Sequence, residues 1–74
     1  MKLNVEIFSG QEINAVLIAY AMIPSGPDVI EPEDLERRPV EEIRNTIRKT
    51  LRAEMLPRNL ELGARSALTK LATV

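Results

Sequence analysis

The sequence predicts a mostly helical α+β domain, and three observations carry that prediction. A period-2 alternation of apolar side chains opens the chain, a serine-capped apolar run follows, and two amphipathic stripes fill the second half. The expected elements are one N-terminal strand at 2–8, helices at about 10–23, 39–56 and 62–72, and a proline-rich connector after the first helix. At 74 residues the chain reads as a single small domain, 1–74.

In the opening segment Leu3, Val5 and Ile7 alternate with Lys2, Asn4 and Glu6, the pattern of a half-buried strand. Ser9 stands three residues before Glu12, a capping-box spacing that starts a helix. From Ile13 to Ile23 every residue but Asn14 is apolar or aromatic, so this helix has no wet face and belongs in a core. Pro24-Ser25-Gly26-Pro27-Asp28 breaks the chain, because two prolines around a glycine continue neither helix nor strand. Pro32 and Glu33-Asp34-Leu35-Glu36 suit a first helical turn, which Pro39 interrupts. Pro39 itself reads as the first residue of the next helix.

That helix carries Val40, Ile43, Ile47, Leu51 and Met55 on one stripe, with Arg44, Arg48 and Arg52 running alongside at i, i+4, i+8. Pro57 ends it. The last helix gathers Leu60, Ala64, Ala67, Leu68 and Leu71 on one face, and Gly63 places its firm part from about residue 62. Charge is segregated along the chain. Residues 31–42 hold six acids against Arg37 and Arg38, and residues 43–70 hold seven bases against Glu54 and Glu61. Acids before a helix and bases along its later turns complement the helix dipole, so the pattern first describes a solvated face.

Chemistry is sparsely written. Histidine and cysteine are both absent, which removes the Ser–His and Cys–His nucleophiles and the usual zinc ligand sets. Ser66 and Lys70 share a helix face one residue further apart than an S-x-x-K pair, and no phosphate-cradling glycine loop is present. The expectation is a non-enzyme with no cofactor and no metal. A strand without an internal partner and a helix oily on all sides call for outside cover, from a second copy or another protein. The leading reading is therefore a small, regulatory protein-binding module (adaptor, inhibitor or subunit), expected as a homodimer or higher oligomer. Its contact residues would be Lys2, Asn4 and Glu6 on the strand and Arg44, Arg48 and Arg52 on the helix. No apolar stretch reaches the roughly 20 residues of a membrane span. With no leader-like segment either, the expected compartment is the cytoplasm, with no membrane partner.

Two alternatives follow from resemblance. Strand, helix and amphipathic helix in that order resemble the ribbon-helix-helix repressors, whose paired strands enter the DNA major groove. By that resemblance Lys2, Asn4 and Glu6 would read bases. The four prolines from Pro24 to Pro39 stand where that family has a short turn, which ranks nucleic acid below a protein partner. The fragments Ile13-Asn14, Tyr20, Pro24, Glu42-Ile43-Arg44-Asn45 and Leu68-Thr69-Lys70-Leu71 resemble the phage anti-CBASS sponges, helical proteins that sequester cyclic oligonucleotides. That resemblance implies a phage origin, with Tyr20 stacking a base and Arg44 or Arg65 meeting phosphate.

Overall fold

Asn4 sets the course of the chain's first described residues. Its side-chain oxygen accepts the Glu6 N–H at 3.0 Å, and Val5–Ile7 close into a single 3-10 turn instead of extending. The computed structural model describes residues 4–23 and 31–73, and among them there is no strand. The α+β class is thus corrected to all-helical, and the expected strand at 2–8 is replaced over Val5–Ile7 by this turn. Alternation over so few residues is equally met by a turn that buries Phe8 at i+3 from Val5. Over the described residues 4–8 no strand edge in need of a partner arises. Ile7 and Phe8 donate to Asn4 O and Val5 O, and the Lys70 ammonium donates to Ile7 O at 2.9 Å.

Among the described residues four α-helices follow, not three: α1 (Gly10–Ala21), α2 (Pro32–Arg37), α3 (Val40–Arg52) and α4 (Arg58–Leu71). Helix α1 begins at the capping box, in which the Ser9 hydroxyl accepts the Glu12 N–H and the Glu12 carboxylate accepts the Ser9 N–H. Helix α2 forms where Pro32 and Glu33–Glu36 suit a helical turn, a segment not counted among the three expected helices. Pro32 stands at its first position, Asp34 accepts the Glu31 N–H at 2.9 Å, and Leu35 is fully buried. Six residues do not hold a helix alone in water, so that one buried leucine is what docks α2. Pro39 is the residue before α3 and not its first. The proline-rich break expected at Pro24–Asp28 lies outside the described residues.

Helix α3 stops at Arg52, short of the expected 56. Glu54 takes a left-handed backbone (φ 55°), Met55 N–H bonds back to Thr50 O, and Glu54 N–H to Leu51 O. This is a Schellman closure with glutamate at the position glycine usually fills. Pro57 then opens α4 at Arg58, four residues ahead of expectation. Arg44 Nε reaches Leu71 O at 3.4 Å, and Thr50 and Leu51 share a cleft with Glu61 and Arg65, so α3 and α4 form an antiparallel hairpin.

Helix α1 packs across both. Gly63, which looks like a weak point, is the place where α4 meets α1. A Cβ there would sit 3.1 Å from the Gln11 carbonyl oxygen and 3.2 Å from the Ala15 Cβ. With Ala15, Ala19, Ala64 and Ala67 fully buried, the two backbones approach closely. Val16, Tyr20, Ile43, Ile47, Leu56 and Leu71 complete the centre, and Leu17 and Ile18 are only half-buried beside it. The oily helix is therefore enclosed on its α3 and α4 sides. Its outer face keeps Ala21 and Met22 exposed. No described helix is long and apolar enough to cross a membrane.

Candidate functional site

Two polar clusters lock the helices together. In the first, Glu12 is only 5% exposed, yet three donors converge on its carboxylate and both oxygens accept. Oε1 takes the Ser9 N–H and the Lys70 ammonium, both at 2.7 Å, and Oε2 takes the Ser66 hydroxyl. Burial pushes this carboxyl up, but the hydrogen bonds from Lys70, Ser66 and the Ser9 backbone outweigh it and hold the group at about 2. Ser66 and Lys70 do share a face, and that face serves to clamp α4 to the start of α1. A carboxylate this acidic and this heavily hydrogen-bonded does not act as a base near neutrality.

In the second cluster the Tyr20 hydroxyl donates to Glu42 Oε2 at 2.9 Å, and Arg38 Nη1 meets the same oxygen at 3.1 Å. The Arg38 guanidinium lies 5.2 Å from the centre of the Tyr20 ring. Burial first, and the Glu42 carboxylate second, push the phenol up to about 12. Burial opposes ionisation of Glu42, while the Tyr20 hydroxyl and Arg38 carry its carboxyl below the usual range. The Tyr20 ring is 2% exposed. In this fold it offers no face on which a base could stack, the role implied by the resemblance to the sponges.

The expected contact residues do not come together. Lys2 lies outside the described residues. Asn4 is spent as the cap of the 3-10 turn, and Glu6 is exposed within it, so these residues do not form the ribbon a ribbon-helix-helix repressor would insert into DNA. Arg44 is half-buried, paired with Glu41 at 3.2 Å and bonded to Leu71 O. Arg48 and Arg52 are exposed on the solvent side of α3. Neither makes an ion pair among the described residues, where the pairs are Arg38–Glu42, Arg44–Glu41, Arg65–Glu61 and Lys70–Glu12.

Two residues missed at the sequence level join Arg48 and Arg52. Lys49 is exposed about 100° round the helix from Arg48, and Arg58 is exposed at the start of α4 on the same end of the hairpin. The signal for Arg58 was Pro57, which turns the chain back beside the end of α3. Between the helices lies a cleft of about 140 Å³ lined by Thr50, Leu51, Glu54, Leu56, Glu61 and Arg65. At the other end, Glu31, Glu33 and Glu36 are exposed on or beside α2, near the turn that holds Glu6. Among the described residues no three acidic side chains converge as a metal site would need. No family model, no curated protein and no solved structure matches this chain.

Proposed function

We propose that this chain is a small non-enzymatic interaction protein that docks an acidic protein surface on the solvent face of α3. Arg48 and Arg52 are the recognising groups, with Lys49 and Arg58 beside them. One observation carries the reading: these four cations are exposed, without an ion pair among the described residues and gathered at one end, while Arg38, Arg44, Arg65 and Lys70 are neutralised internally and Arg37 stands among the acids of α2. Guanidinium groups one helical turn apart on a rigid helix present planar forks that match carboxylates. A protein partner is favoured over nucleic acid because the net charge is -1 and the opposite end is acidic, which would repel a polyanion.

Titration of the isotope-labelled chain with a glutamate-rich peptide, and separately with a random-sequence DNA duplex, tests the reading at low salt. The peptide is expected to shift the amide resonances of Arg48–Arg52 and Arg58 and to leave those of α2 in place. Reversing both arginines (Arg48→Glu with Arg52→Glu) is expected to weaken that binding about tenfold or more, since each exposed pair contributes up to about 1 kcal/mol. Silence towards the peptide, or tighter binding of the duplex at the same residues, would overturn it.

A further inference from the structure

We infer that the acidic surface accepted by the α3 face is carried by a second copy of this chain, docked head to tail. The inference rests on the reading of that face as a docking surface and names its occupant. Charge complementarity carries it. Residues 31–42 hold six acids against two bases, and residues 43–58 hold five bases against one acid. The side chains between these two groups cancel within one molecule, through Arg38 with Glu42 and Arg44 with Glu41. What stays without an ion pair among the described residues is sorted by end in the main, with Arg37 set among the acids and Glu54 among the bases. Glu6, Glu31, Glu33 and Glu36 lie at the open end of the α3–α4 hairpin, where α2 leads into α3 and Lys70 holds the 3-10 turn. Arg48, Lys49, Arg52 and Arg58 lie towards its closed end.

The two ends do not neutralise one another within a single copy. Along the α3 axis Arg48 and Arg52 stand about 12 and 18 Å from Val40, beyond the Debye length of about 10 Å in roughly 0.1 M salt. A second copy brings its acidic end within ion-pair distance of the basic end, and the -1 net charge sets almost no long-range barrier against it. The contact joins two different surfaces, so it propagates into a ring or an open chain and does not stop at a two-fold pair. The strand that would have paired two copies about a two-fold axis is not formed by residues 5–7.

Sedimentation equilibrium on the purified chain and two charge-reversed variants decides the matter. One variant carries Arg48→Glu with Arg52→Glu, the other Glu33→Lys with Glu36→Lys, and circular dichroism confirms that both are helical. The wild-type mass is expected to rise with concentration in low salt, and its association constant to fall at least about tenfold in roughly 0.5 M salt. Each variant alone is expected to stay monomeric, and an equimolar mixture of the two to associate again, because one then carries two acidic ends and the other two basic ends. A wild-type monomer at every concentration overturns the inference. So does association that survives the reversals, or a mixture that fails to recover it. If the wild type is monomeric but the glutamate-rich peptide still binds the α3 face, the second copy is excluded and the docking surface stands. If the peptide is also ignored, both readings fall.

Discussion

Glu12 is a residue on which distant parts of the chain meet. It closes the α1 capping box and receives Ser66 and Lys70, which lie 54 and 58 positions away. Its carboxyl is held at about 2 against an ordinary 4.5, so folding favours the anion. The stability this adds is fully present above about pH 4.5 and is lost as pH falls towards 2, at most about 3 kcal/mol for a shift of this size. Glu42 titrates in the same direction, so the wild-type profile alone does not separate the two. Glu12→Gln does. It leaves Lys70 without its anion and is expected to destabilise the chain by about 1–3 kcal/mol at neutral pH. Its urea-unfolding free energy should also fall less steeply than the wild type's between pH 4.5 and 2. Parallel profiles for the two chains would show that Glu12 is not the group responsible. The spacing of Ser9 and Glu12 reveals one of these bonds in the sequence. The other two join residues too far apart for any local pattern to register.

At the scale of elements, what was legible depended on whether a signal was local. The start of α1 was written in Ser9 and Glu12. The end of α3 was hidden, because the left-handed residue there is Glu54, whereas the usual marker is glycine or asparagine. Holding a side chain in that conformation costs about 1 kcal/mol. Glu54→Gly is therefore expected to raise stability by up to about 1 kcal/mol, seen as a higher urea midpoint at unchanged slope. The carboxylate lost is exposed and contributes little. A lower midpoint would mean that Glu54 is held by contacts stronger than its backbone strain. The 3-10 turn was misread because alternation over Val5, Glu6 and Ile7 is too short to separate a strand from a turn that buries Phe8. Gly63 was read as a defect in α4, yet its missing side chain is what admits the Gln11 carbonyl and Ala15. Of the proposed docking face, the exposure of Arg48 and Arg52 on α3 was legible from their spacing beside an apolar stripe, whereas Arg44 on the same spacing is half-buried. Asn4 and Glu6 were misplaced along with the strand they were thought to occupy.

At the scale of the whole molecule, the question is how so short a chain keeps a short charged helix in place. A 74-residue domain has a total stability of only about 4–11 kcal/mol. Within that small margin, α2 contributes one fully buried side chain, Leu35, while Glu33, Glu36 and Arg37 remain in water. If α2 is part of the cooperative unit, Leu35→Ala removes a buried isobutyl group from the shared core and is expected to cost about 2–4 kcal/mol globally. Urea unfolding of the variant should then remain a single transition, with its midpoint lowered and its slope kept. Amide exchange across residues 33–37 and across the α1–α4 contact should accelerate together. If instead only residues 33–37 exchange faster and the global free energy is unchanged, α2 is an appendage resting on a three-helix core. That outcome would also bear on assembly, because the acidic end would then lack a rigid mount. The 3-10 turn favours the cooperative result: it packs against α2 on one side and is held by Lys70 of α4 on the other, so loosening α2 reaches the Glu12 cluster directly.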